Sequence, residues 1–181
     1  MNLSFSKYQG TGNDFILIDN RAGVANHLST FSVASFCDRK FGIGADGLLL
    51  LNAHPTLDFE MVNYNADGSL SSFCGNGART LVQFAFDLGI QKSHYRFMAA
   101  DGEHEAYLEN SLASLIKLKM QSVKKIDCSP AGLVMNTGSP HLVVIKDSIQ
   151  ELDVFEEGQY LRNHSDYQPA GVNVNFVEWN S

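Results

Sequence analysis

The apolar positions of the chain follow two periods, and the switch between them marks one helix set among strands. From Ala78 to Leu88 the residues Leu81, Val82, Phe84, Ala85, Phe86 and Leu88 cover most of a helical wheel, while Arg79, Gln83 and Asp87 leave one narrow polar stripe. A helix that apolar is predicted to be buried nearly all round. Gly89 follows where a left-handed C-terminal cap is wanted. On either side the period is two. Leu3 and Phe5 alternate with polar residues, Phe15 to Asp19 and Leu48 to Leu51 are apolar runs, and Leu57, Phe59 and Met61 alternate with Asp58, Glu60 and Val62. Tyr95 to Ala99, Glu103 to Glu109 and Leu112 to Met120 then read as a meander with turns at Asp101-Gly102 and Asn110-Ser111.

Ser29 or Thr30 can cap a further helix with Val33, Phe36, Cys37 and Phe41 on one face and Gly42 as its stop. Past the meander, Leu133 to Ile145 gives two short apolar segments around a turn, Ser148 to Gly158 suggests a short acidic helix, and Val172, Val174 and Phe176 alternate as a last strand. Ser129-Pro130 and Gly132 make the stretch from Lys124 to Gly132 the candidate boundary, dividing the chain into 1–122 and 123–181. The element order predicts an α+β fold in which a curved, mostly antiparallel sheet wraps a central buried helix.

Composition narrows the functions open to this fold. Among 181 residues, 44% are hydrophobic and 18% charged, which is ordinary for a globular protein. A net charge of −7 with no Lys/Arg cluster argues against nucleic acid as a partner. The longest aliphatic run, Leu48 to Leu51, is far short of a membrane span, and MNLSFSKYQG has no signal-peptide core, so no membrane partner and a cytoplasmic location are expected. The three cysteines are too widely spaced for a disulfide framework. The six histidines show no metal-ligand spacing, so no metal site is expected. GIGADG at 42–47 looks like a nucleotide loop but leads into a strand instead of a helix, which disfavours a dinucleotide site.

The candidate chemistry sits at the start of the central helix. Cys74 is followed by Gly75, Asn76 and Gly77, where unpaired N–H groups and the positive end of the helix dipole favour a bound carboxylate and the thiolate form of Cys74. The alternative is that Cys74 is a small buried apolar residue. Cys37 reads as core and Cys128 as incidental. Asn65, delivered by a strand into the turn NADGS, is close in sequence to Cys74, and Asn13 in GTGNDF is free to reach a ligand unless that segment is only a hairpin turn.

Five blocks, GTGNDF at 10–15, FGIGADGLLLL at 41–51, the segment from Tyr64 to Arg79 with NADGS and CGNGAR, NTGSPH at 136–141 and GVNVNFVE at 171–178, resemble the diaminopimelate epimerase family. The resemblance implies inversion of an amino-acid α-carbon without a cofactor, by two thiols that exchange protons on opposite faces. It makes Cys74 one acid/base thiol, gives the substrate carboxylate to Gly75 and Asn76, makes Asn13, Asn65 and Asn173 substrate amides, and makes His141 a residue that tunes the thiols. Gly47 stands where many relatives have a glutamine, and Ser139 where relatives have a substrate-binding asparagine.

The family's second cysteine motif, preceded by a Glu-Arg pair, should follow the strand with Asn173. The sequence stops at Asn180-Ser181, so a second domain of similar shape is expected to be only partly present, and this chain alone is expected to be inactive unless another polypeptide completes it. The implied reaction converts LL- to meso-diaminopimelate for lysine and peptidoglycan precursors, with diaminopimelate as the small-molecule partner and a homodimer as the assembly. The competing readings are a proline racemase or phenazine-type isomerase of the same fold, and a non-catalytic amino-acid-binding half-fold.

Overall fold

The computed structural model describes residues 3–110, 115–169 and 171–179. It divides into two units, Met1–Lys119 and Met120–Ser181. The turn expected after Asn110 and residues 112–114, expected to open the next strand, lie outside the described residues.

In the first unit Thr11 and Gly12, with φ of 55° and 85°, turn β1 (Ser6–Gly10) back onto β2 (Asn13–Asp19) as a two-residue hairpin. Positive φ at both central residues matches the twist of the flanking strands. The hairpin begins a seven-stranded sheet whose spatial order is its chain order, continuing through β3 (Gly47–Asn52), β4 (Phe59–Asn65), β5 (His94–Ala99), β6 (Gly102–Asn110) and β7 (Leu115–Lys119). Only β2 with β3 and β4 with β5 pair in parallel; the rest are antiparallel.

The continuous apolar runs of β2 and β3 are explained by two cores, one on each face. Phe15, Leu17, Leu49, Leu51, Phe59 and Met61 pack with helix α2 (Gly75–Asp87), while Ile16, Ile18, Leu48 and Leu50 pack with Val33 and Cys37 of α1 (Thr30–Cys37). Helix α2 touches both β1 and β7, the two edges of the sheet, so the sheet curls around it. Its buried residues include Ala78, Leu81, Val82 and Ala85 on the apolar faces and Gln83 within the polar stripe. At its end Gly89, with φ of 94°, donates to Phe86 O and Ile90 N–H donates to Ala85 O, which closes the helix in a Schellman turn.

Helix α1 stops sooner than its pattern suggested. Asp38 Oδ1 accepts from the N–H groups of Lys40 and Phe41, both at 2.7 Å, and this side-chain turn draws the chain out of the helix. Phe41 is consequently 92% exposed instead of sharing the face of Val33.

In the second unit β8 (Ile126–Ser129), β9 (Gly132–Asn136) and β10 (Pro140–Ile145) form a meander, and β11 (Asn173–Val177) joins β10 in parallel. Strand β8 and its turn thus occupy the segment read as a boundary. The crossover from β10 to β11 carries α3 (Val154–Arg162), which starts later than its composition suggested because Asp153 accepts from Glu156 N–H at 2.9 Å and caps it. Leu142, Val144 and Val172 form the core with Leu161, Tyr167 and Phe176.

Candidate active site

Cys74 is the N-cap of α2. Its backbone is extended (φ −122°, ψ 113°), and its Sγ accepts from Gly77 N–H at 3.5 Å, in the place a serine or aspartate oxygen commonly takes. The thiol is half-buried against the core that α2 shares with the sheet. A donor and the positive helix end therefore both face the sulfur. The N–H groups of Gly75 and Asn76 belong to the same first turn and have no acceptor within the helix.

Two contacts behind Cys74 hold it. Asn63, on the buried side of β4, donates from Nδ2 to Ser72 O at 3.3 Å and accepts Ser71 N–H on its backbone oxygen at 2.8 Å. The segment leading to Cys74 is thereby tied to the sheet. Phe73 lies face to face with His104, ring centroids 3.9 Å apart, and His104 Nε2 donates to Asp101 Oδ1 at 2.8 Å. His104 is 3% exposed, and its Nδ1 has no hydrogen-bond partner among the described residues.

The sheet brings Asn13 and Asn65 to the end at which α2 starts. Register aligns Phe15 with Gly47 and Gly47 with Asn65 across β2, β3 and β4. Asn13 shares parity with Phe15, and Asn65 with Met61, so both lie on the helix-facing side. Gly10, at the end of β1, abuts the first turn of α2: a Cβ there would meet Asn76 O at 3.1 Å. Asn13 is tied on its nitrogen, contrary to the free reach expected for it, because Nδ2 donates to Asp46 Oδ2 at 2.7 Å. Asp46 is paired through Oδ1 with Arg39 at 2.7 Å, and Arg39 and Lys7 both bind Asp14. These two cations hold the Asp14 carboxyl well below the usual carboxylate range. Asn65 Nδ2 donates to Ser69 Oγ at 3.1 Å inside the NADGS turn.

Gly47 is required by its strand. A Cβ there would stand 2.5 Å from Tyr64 O.

The second unit has its own polar row on the face of the sheet opposite Leu142 and Val144. His141 is in register with Asn173, shares a 2.8 Å hydrogen bond through Nδ1 with Asn175 Oδ1, and lies 3.4 Å through Nε2 from Ser139 Oγ. Ser139 Oγ also accepts from Asn173 Nδ2 at 3.4 Å, and Asn173 Oδ1 accepts from Arg162 at 3.4 Å. Of the other cysteines, Cys37 is buried at the end of α1, which pushes its thiol up, and Cys128 is exposed on β8. Among the described residues no three His, Cys, Asp or Glu side chains converge as a metal site, and no helix is long and apolar enough to cross a membrane.

Pattern reading passed over Asp46, Asn63 and His104. A signal existed for Asn63, which is polar at the buried parity of β4 between Met61 and Asn65. The same signal existed for His104, which shares the buried parity of β6 with Ala106 and Leu108, whereas none pointed to Asp46, whose partner Asn13 is 33 residues away.

The first unit, a sheet curled around a helix capped by a thiol, has the fold of a class of amino-acid racemases and epimerases. The chain superposes on a hydroxyproline epimerase from Agrobacterium vitis with a TM-score of 0.60, at 11% identity, over 90% of this chain and 59% of that one. The family model for diaminopimelate epimerase matches residues 5–126. Relatives carrying that name include one from Flavobacterium psychrophilum, 46% identical over 97% of this chain and 68% of its own length, and one from Chlorobaculum tepidum, 41% identical over 93% and 67%. The chain belongs to the diaminopimelate epimerase family.

Proposed function

We propose that the protein takes part in the cofactor-independent epimerisation of LL-diaminopimelate to meso-diaminopimelate, with Cys74 as the acid/base on one face of the α-carbon. The observation that carries this reading is the Cys74 cap. One short segment sets a thiol beside backbone donors that could hold the α-carboxylate and the negative charge developing on it as the α-proton leaves. Gly75 and Asn76 would take the carboxylate, Asn13 and Asn65 the polar groups around the reacting carbon, and Asn173 a further polar contact. His141, steadied by Asn175 and Ser139, would modulate the thiol chemistry.

Inversion needs a second group on the opposite face. Cys37 and Cys128 do not supply it, because neither caps a glycine-rich helix start. The names of the relatives support the substrate, and the reading makes the protein a cytoplasmic enzyme of lysine and cell-wall precursor synthesis that works as a homodimer on free diaminopimelate. The experiment is α-proton exchange: diaminopimelate incubated with the protein in deuterium oxide gains α-deuterium on the face Cys74 serves, without the inversion that needs a second group, and Cys74→Ala loses that labelling. Equal labelling by the variant would remove Cys74 from the reaction.

A further inference from the structure

We propose that Asp46 and the Ser69–Asp67 pair are positioning residues that lock the Asn13 and Asn65 amides with their carbonyl oxygens turned outward, so that this end of the sheet selects a hydrogen-bond donor, the substrate ammonium. The inference rests on the reading above for the ligand; the lock itself rests on the direction of each hydrogen bond.

A carboxylate only accepts, whereas an amide offers an acceptor at one end and donors at the other. Asn13 must therefore turn its nitrogen to Asp46, 2.7 Å away, and Asp46 Oδ2 also accepts Asp14 N–H at 3.1 Å. Arg39 holds the other Asp46 oxygen, so the carboxylate cannot turn away.

The same logic applies to Asn65 through one more step. Ser69 Oγ donates to Asp67 Oδ1 at 2.6 Å, and with its only proton committed there it can only accept from Asn65 Nδ2 at 3.1 Å. Hydrogen bonds from the Ser69 hydroxyl and N–H hold Asp67 below its ordinary carboxylate range, which keeps it an acceptor. Gly68 permits the turn with φ of 82° where a Cβ would run into Thr30 O at 2.0 Å, so the relay is fixed against α1. Two independent relays thus end in a carboxylate and leave an amide oxygen as the outward atom. Both amides lie on the face of the sheet that α2 covers, at the end where its N–H groups favour the opposite charge.

The test reads the side-chain amides of Asn13 and Asn65 by nitrogen-resolved NMR in the unliganded chain, with Asn13→Asp and Asn65→Asp as assignment blanks. One proton of each NH₂ is expected downfield of a free amide. Ser69→Ala should return only Asn65 to the free position. Asp46→Asn should move only Asn13, because Arg39 keeps the new carbonyl and leaves its NH₂ facing Asn13. Free-amide positions for both residues in the unsubstituted chain would overturn the lock.

Competition binding then tests the donor selectivity. Ser69→Ala should weaken meso-diaminopimelate by about tenfold, the scale of one hydrogen bond to a charged group, and leave pimelate, the same carbon chain without ammonium groups, unchanged. Equal weakening of both ligands would overturn the ammonium assignment. Locked amides with no diaminopimelate binding would uphold the positioning role and count against the proposed substrate instead.

Discussion

A Cβ built on Gly10 would stand 3.1 Å from the backbone oxygen of Asn76 and equally close to Thr80 Cγ2, so the end of β1 and the first turn of α2 pack backbone to backbone. Because Gly10 leads through the Thr11-Gly12 turn into Asn13, the same contact fixes the hairpin tip beside the helix start that carries Cys74.

Gly10→Val is therefore expected to push the first turn of α2 away, at an overpacking cost of about 1–3 kcal/mol. Denaturant unfolding should show the loss, and binding of meso-diaminopimelate should weaken beyond what stability alone explains. Gly10→Ala should show the same pattern more mildly. A Gly10→Val protein with unchanged stability and binding would mean that the contact does not order the site.

At position 47 a glutamine is expected to harm this protein. The Cβ would lie 2.5 Å from Tyr64 O in the neighbouring strand, where backbone must give way. Gly47→Gln should cost about 1–3 kcal/mol in stability and yield no gain in ligand affinity. Thermal unfolding together with a binding titration checks this.

Much of this arrangement could be read from residue order. A turn within GTGNDF between the first two strands, the buried helix and its Gly89 end follow from local period and turn chemistry, which the sheet reinforces instead of overriding. Cys74 stands out because glycines follow it, whereas Asn13 is read as a ligand contact through the family resemblance and not from its residues alone. The stop of α1 was not legible, since Asp38 ends the helix by a side-chain turn while Phe41 kept the apolar period running. Nor was the role of Asp46, because a hydrogen bond between distant segments leaves no trace in periodicity. The Asn13 amide looked free for the same reason: its partner is 33 residues away.

The network that holds Asp46 predicts a pH dependence. Arg39 and Lys7 lower the Asp14 carboxyl in the folded protein, so the folded state binds fewer protons there than the unfolded chain. Its stabilising contribution is present above the ordinary carboxylate range, about pH 4, and is lost as the pH falls through the lowered folded value. Asp14→Asn should flatten the acid limb of melting temperature against pH while reducing stability at neutral pH. An unchanged acid limb would show that Asp14 does not contribute to it.

The central claim is that Cys74 moves the α-proton of diaminopimelate. The direct measurement is deuterium incorporation at the α-carbon, followed by mass spectrometry, for the unsubstituted protein and for Cys74→Ala and Cys128→Ala. A positioned acid/base group contributes about 10²–10⁴ in rate. Labelling is accordingly predicted to persist in Cys128→Ala and to fall by at least about 10² in Cys74→Ala. Labelling that survives in Cys74→Ala at the unsubstituted rate would contradict the account.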